Sequence, residues 1–224
     1  MDNKNIRLFV DFDGTVTDRD VGNGIFDRFL RPDLIERGWH EEIINEWKAE
    51  RVSSLECLTR ECQYSIVTED QFREELDNFE LTPGFVETAH YCRDNDIPLM
   101  ILSDGLDYYI EYILARNGLG FVEFRANHMF FSNGSLGVEF PYNEYGCGKC
   151  GNCKRWHMNT HVVDGERVIY VGDGYSDRYA IHSADVVFAR RDLAEYCKSE
   201  NLSYHPFGTF FDVLKYIENG DEDV

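Results

Sequence analysis

The strongest constraint in this 224-residue sequence is a junction that recurs, in which a short apolar run stops abruptly in small and acidic residues. Ile6 to Val10 runs into Asp11-Phe12-Asp13-Gly14, Ile97 to Leu102 into Ser103-Asp104-Gly105, and Val168 to Val171 into Gly172-Asp173-Gly174. Val186 to Ala189 is a further run of this kind, and Ser203 to His205 a shorter one. Apolar runs of this length, bounded by turn residues, read as strands buried on both faces. Helical spacing fills most of the intervals. It covers Phe85 to Asn95 after the break at Thr82-Pro83-Gly84, Leu106 to Asn117 ended by Gly118, and a helix opened by Lys154. Tyr175 to Ser183, Leu193 to Asn201 and Phe210 to Asn219 follow. Phe124 to Phe140 alternates instead and carries Asn133-Gly134, a hairpin signal. Strands alternating with helices define an α/β protein with a parallel sheet core and helices on both faces.

The rhythm breaks once. From Asp18 to Leu81 apolar residues recur at helical spacing, as in Val21, Ile25 and Phe29 or Ile43, Ile44 and Trp47, with at most a strand near Ile66. This stretch reads as a small helical cap (18–81) inserted after the first strand. Residues 1–17 and 82–224 then form the core. No internal repeat or low-complexity segment appears.

The formal charge is −20. Such a surface repels nucleic-acid phosphates and anionic lipid, so neither is an expected partner. No run approaches the ~20 apolar residues of a membrane span. The opening MDNKNIRLFVDFDG lacks a signal peptide's apolar stretch, so a cytoplasmic protein is expected. The acidic tail after Asn219 reads as a frayed end.

If the strands are neighbours, Asp11, Asp13, Asp173 and Asp177 gather with Ser103 at the carboxyl ends of a parallel sheet, where such folds bind ligands. Carboxylates this close need a counter-ion. A hard divalent cation with oxygen ligands meets the need, and Mg2+ suits a site that also holds phosphate. Lys154, if it points inward, adds positive charge, and the glycines leave backbone N–H groups free to cradle phosphate.

Asp11-Phe12-Asp13-Gly14-Thr15 resembles the DxDGT/V signature of the haloacid dehalogenase-like hydrolases. Ser103, Lys154 and Gly172-Asp173-Gly174-Tyr175-Ser176-Asp177 resemble that superfamily's later motifs, in the right order. The resemblance implies a Rossmann-like core. The insert is similar to the cap of the phosphoserine-phosphatase-like subfamily. More narrowly, the CxxCxxCK segment and AEYCKSENLSYHPF resemble the methionine-salvage phosphatases that act on 2-hydroxy-3-keto-5-methylthiopentenyl-1-phosphate. The resemblance implies Asp11 as nucleophile, forming an aspartyl-phosphate, and Asp13 as acid and then base. It implies Ser103, Gly105 and Lys154 as phosphate contacts, and Asp11, the Asp13 carbonyl and Asp173 as Mg2+ ligands with Asp177 behind them. A small phosphorylated metabolite is the implied substrate. Phosphoserine is a rival, since Arg51 and Arg60 offer cations for its carboxylate. A phosphate-ligand or metal-cysteine binding module without turnover is another.

Other residues carry weaker signals. Cys147, Cys150 and Cys153 admit a structural Zn2+ with His157 or Cys197 as fourth ligand, a disulfide plus one thiol, or three unligated thiols. Cys57, Cys62, Cys92 and Cys197 read as buried thiols. Asp20 and Asn23 are candidates for substrate recognition. Phe26, Phe29, Trp39 and Trp47 read as core. His40, His90, His128, His161 and His182 have no evident partner in the sequence.

Overall fold

The computed structural model describes residues 5–219, so the acidic tail lies outside the described residues. Seven strands form one sheet in the order β4-β3-β2-β1-β5-β6-β7. They are β1 Ile6–Val10, β2 Leu99–Leu106, β3 Glu123–Ser132, β4 Ser135–Glu139, β5 Arg167–Gly172, β6 Val186–Ala189 and β7 His205–Pro206. All neighbours run parallel except β3 and β4, the hairpin closed at Asn133-Gly134. Both turn residues take positive φ (49° and 82°), as the tight hairpin turn requires.

The apolar runs lack alternation because the sheet is covered twice. Along β1, Leu8 and Val10 share a core with Phe85 of helix α6 (Phe85–Asp94) and Phe210 of α10 (Phe210–Asn219). Phe9 turns to the opposite face, with Met158 of α8 (Lys154–His161) and Leu193 and Cys197 of α9 (Arg191–Ser199). In β5, Ile169 and Val171 follow the first pattern, Val168 and Tyr170 the second. Each large side chain so buried contributes roughly 1.5–3 kcal/mol.

Three details depart from the sequence reading. The second strand does not stop at Leu102 but runs on through Ser103-Asp104-Gly105 to Leu106, with a break in its register against β3 after Leu102. Tyr175 to Ser183 is not one helix but two short turns, Tyr175–Asp177 and Ile181–Ser183. The Asp177 carboxylate folds back to accept the N–H groups of Asp173 and Gly174, at 3.0 and 2.9 Å. The following backbone bonds, Ala180 to Asp177 and Ser183 to Ala180, span three residues rather than four. Near Ile66 there is a single bridge, Leu30 to Ser65, and Ile66 itself is exposed.

Between Thr17 and Leu81 lie α1 Val21–Phe29, α2 Pro32–Glu36, α3 Trp39–Lys48, α4 Ser54–Tyr64 and α5 Glu69–Leu76. The chain leaves and returns through one neck. Thr17 pairs antiparallel with Leu81, the Thr82 N–H donates to the Val16 carbonyl, and the Thr82 hydroxyl donates to the Thr15 carbonyl at 2.7 Å. The Arg190 guanidinium caps this neck, donating to the carbonyls of Gly14, Thr15 and Thr17. After the neck, α7 (Asp107–Arg116) follows β2. Among the described residues no helix is long and apolar enough to cross a membrane.

Phe9→Ala empties a fully buried site between β1, α8 and α9. The expected loss is about 3–5 kcal/mol. It should appear in urea titration as a lower midpoint at unchanged slope, and a loss under about 1 kcal/mol would contradict close packing on this face.

Candidate active site

Register brings the strand ends level. Val10 pairs with Ile101 on one side and Val171 on the other. Asp11, Ser103 and Asp173 therefore emerge together, beside the strand from which the chain turns to either side of the sheet. Such a switch point leaves a crevice above the strand ends.

Lys154 occupies the floor of that crevice. It is the first residue of α8, and its side chain is 3% exposed. Its ammonium donates to Asp11 Oδ1 at 2.5 Å, Asp177 Oδ1 at 2.6 Å and Ser176 Oγ at 2.9 Å. Burial opposes the charge, but the Asp11 and Asp177 carboxylates outweigh it and hold the lysine protonated. Asp177 is fully engaged. Its other oxygen takes the two N–H groups named above, and the Tyr170 hydroxyl also donates to Oδ1 at 2.6 Å.

The remaining acids are less settled. Burial raises the pKa of Asp11, with the Asp177 charge adding to it and Lys154 opposing. Burial and Asp177 also raise Asp173, against Arg191 and Thr15, which donate to it at 3.0 Å each. Oxygens of Asp11, Asp173 and Asp177 lie within 4.8 Å of one another. Three buried carboxylates crowded this closely are the donor set a hard divalent cation would relieve, so the residues fit such an ion.

Asp13 looks the other way, toward the helices. Its Oδ1 accepts the N–H groups of Val21 and Gly22, both at 3.2 Å, at the start of α1. Its Oδ2 accepts the hydroxyls of Ser103 at 3.2 Å and Tyr109 at 2.8 Å. Burial raises its pKa despite these donors. The Gly105 N–H donates to Ser103 Oγ at 2.9 Å. A side chain at Gly105 has no room, since its Cβ would fall 1.7 Å from the Tyr109 hydroxyl.

A cleft of about 360 Å³ opens above these groups. Its far wall is Phe26, Ile44, Trp47 and Leu58, with the Glu61 carboxylate among them. Phe26 and Trp47 therefore face the cleft as well as packing on the core, whereas Trp39 is core and Phe29 packs partly buried against it. Asp20 and Asn23 line the cleft too, and the Asp20 carboxylate caps α1 by accepting the Asn23 N–H at 2.7 Å. The surrounding protein and the Asp13 charge push Asp20 up to about 7. Arg51 lines a neighbouring pocket, and Arg60 is bound to Glu56 at 2.5 Å.

Several contributors had no signal in the sequence. Tyr109 reaches Asp13 from α7, and Arg191 reaches Asp173 from α9. Asn152 is buried and donates to the carbonyls of Ser103 and Arg125 at 2.8 and 2.7 Å, while its N–H meets Asp104 Oδ1 at 2.8 Å. Thr15 alone was visible, as the last residue of the DxDGT pattern.

The sulfurs of Cys147, Cys150 and Cys153 converge, but neither His157 nor Cys197 joins the group. His157 is buried with Nε2 at 2.5 Å from Asn152 Oδ1. The other four cysteines are buried thiols. Of the remaining histidines, His128 meets Asp107, His161 meets the His157 carbonyl, His90 lies against Phe121, and His182 is exposed.

Residues 8–182 match the family described as haloacid dehalogenase-like hydrolase, and the chain belongs to it. Among its relatives is the 2-hydroxy-3-keto-5-methylthiopentenyl-1-phosphate phosphatase of Brevibacillus brevis, 29% identical over 99% of each chain. The protein of that name from Bacillus cereus is 30% identical over 96% of each. Among solved structures, a phospho-aspartyl intermediate analogue of phosphoserine phosphatase shares the fold. It has a TM-score of 0.69 and 17% identity, and the match covers 95% of this chain and 99% of that one.

His40 supplies a test of the cleft wall. Burial opposes its charge, but hydrogen bonds to Glu61 (3.0 Å) and Asp27 (2.6 Å) raise its pKa above the ordinary value. The stability this triad gives is complete below about pH 6.5. It is lost as pH rises through the higher value of the folded state. The melting temperature should therefore fall over that window, and His40→Gln should flatten the fall. An unchanged slope in the variant would overturn the assignment.

Proposed function

We propose that the protein is a magnesium-dependent phosphomonoesterase that hydrolyses a small phosphorylated metabolite through an aspartyl-phosphate on Asp11. One observation carries the reading. Asp11 sits at the cleft floor with one oxygen held by Lys154 at 2.5 Å, and no donor among the described residues engages the other. That free oxygen is a nucleophile held in place.

In this reading the Asp11 oxygen attacks phosphorus as the bond to the ester oxygen breaks. Asp13, its carboxyl kept protonatable by burial, gives the leaving oxygen its proton. It then takes a proton from the water that attacks the phosphoryl group, releasing phosphate and restoring Asp11. Ser103, the Gly105 N–H and Lys154 hold the phosphoryl oxygens. Asp11, the Asp13 backbone carbonyl and Asp173 would hold Mg2+, with Asp177 orienting them from behind. The bound cation would offset the repulsion between the carboxylates and the substrate's phosphate. Residues 18–81 act as a cap on a core of 1–17 and 82–224, excluding water and choosing the substrate. The seven free thiols suit a reducing compartment, in keeping with action in the cytoplasm.

The far wall favours a substrate whose other end is apolar and carries no carboxylate. That wall is aromatic and aliphatic around Glu61, and neither Arg51 nor Arg60 lines the cleft. Phosphoserine's carboxylate would meet Glu61, while the cations that do line the cleft, Lys48 and Arg191, are already paired with Asp192 and Asp173. The names of the relatives agree with the neutral alternative, 2-hydroxy-3-keto-5-methylthiopentenyl-1-phosphate.

Phosphate release from a panel of small esters tests this. Release should need Mg2+, vanish with EDTA and in Asp11→Asn, and fall about 10²–10⁴-fold in Asp13→Asn. The neutral keto-ester should exceed phosphoserine in kcat/KM by at least about tenfold, a difference of about 1.4 kcal/mol. Release surviving in Asp11→Asn would overturn the mechanism. A preference for phosphoserine would overturn the substrate class alone.

A further inference from the structure

The loop between β4 and α8 does something the proposed reaction does not require. Residues 141–150 are largely exposed and lack regular structure, so they bury little apolar surface. Fixing such backbone costs roughly 1–2 kcal/mol per residue. Yet the loop is wound tightly. Gly146 takes φ 87° and Gly148 φ 71°, and a Cβ on Gly146 would lie 2.7 Å from the Cys153 sulfur. Two left-handed steps thus carry the chain around that sulfur. The result is that Cys147, Cys150 and Cys153 present sulfurs within 4.8 Å of one another, with Cys147 and Cys150 3.3 Å apart.

We propose that these three thiolates bind one soft divalent cation of the zinc class. Zinc–sulfur bonds of ~2.3 Å in a tetrahedron place sulfurs ~3.8 Å apart, which this cluster reaches with small adjustment. Binding releases the thiol protons and leaves cysteine otherwise unchanged, so no oxidant is needed. Since neither His157 nor Cys197 joins, the fourth position opens on the exposed side, next to Cys147, and takes water.

The site lies where three parts of the molecule meet. The Lys149 carbonyl accepts the Ser54 N–H at 3.2 Å, and the Gly151 N–H donates to Ser54 Oγ at 3.0 Å, which ties the loop to the start of α4. Asn152 holds the Ser103 carbonyl and Asp104. Cys153 directly precedes Lys154. A cation here sets the loop that positions Lys154, Ser103 and α4 together. This second part rests on the phosphatase reading, whereas metal binding itself does not.

The test is metal analysis of the whole chain, purified under reducing conditions and loaded with Zn2+ or Co2+. About one equivalent should be retained, with sulfur-to-cobalt charge-transfer absorption. Both should be lost in Cys147→Ser, whose side chain is exposed and outside the core, with circular dichroism to check that the fold is kept. Equal retention by a variant with all three cysteines replaced would overturn the site. So would no retention by the wild type, or a Cys147–Cys150 disulfide found by mass under the same conditions. At saturating Mg2+, Cys147→Ser should lower phosphate release about 10-fold or more, as loss of supporting shells does. Unchanged release with lost metal would keep the site and overturn its positioning role.

Discussion

A buried ammonium shared by two carboxylates is the interaction on which the rest of the structure depends. Lys154 joins the end of β1 through Asp11 to the turn after β5 through Asp177, and its own backbone begins α8. Asp177 is in turn tied to Tyr170 and to the backbone of Asp173 and Gly174. Removing one partner from such a group leaves an uncompensated buried charge, at a cost of about 3–5 kcal/mol. The same contacts that close the fold therefore fix the position of the proposed nucleophile.

Asp13 couples that floor to the helices above it. One of its oxygens is held by the backbone of Val21 and Gly22, the other by Ser103 and Tyr109 of the core. Any swing of α1 away from the neck would strip two donors from the carboxyl. With burial already raising its pKa, losing them would favour the protonated form further. The position of α1 and the proton affinity of the proposed acid are linked through two backbone bonds.

The sheet and the acids at its strand ends were legible in the sequence because both are local. An unalternating apolar run such as Val168 to Val171 carries its burial in its composition, and Asp173 follows it within two residues. What was not legible depends on contacts between distant segments. Tyr109 meets Asp13 across 96 positions, Arg191 meets Asp173 after a helix start at positive φ, and Asn152 joins loops far apart in the chain. Tyr175 to Ser183 was misread because helical spacing does not record that Asp177 caps its own preceding turn. His40 showed no partner in the sequence because Asp27 and Glu61 lie 13 and 21 positions away on other helices.

Charge balance ties these observations to the chemistry. The cations at the cleft are already engaged: Lys48 with Asp192 at 2.9 Å, Arg191 with Asp173 at 3.0 Å, and Lys154 with two carboxylates. A phosphate monoester brings close to two negative charges into this acidic crevice. At about 4 Å, like charges repel by roughly 4 kcal/mol in a partly buried setting. Lys154 can turn a donor to the phosphoryl group, but its single charge is already shared between Asp11 and Asp177 and cannot alone offset the newcomer. Substrate entry in the proposed reaction thus calls for a divalent cation among Asp11, Asp173 and the phosphate. Beyond it, in the proposed reaction, the Glu61 carboxylate on the far wall would repel a second anionic group on the substrate just as the floor acids repel its phosphate.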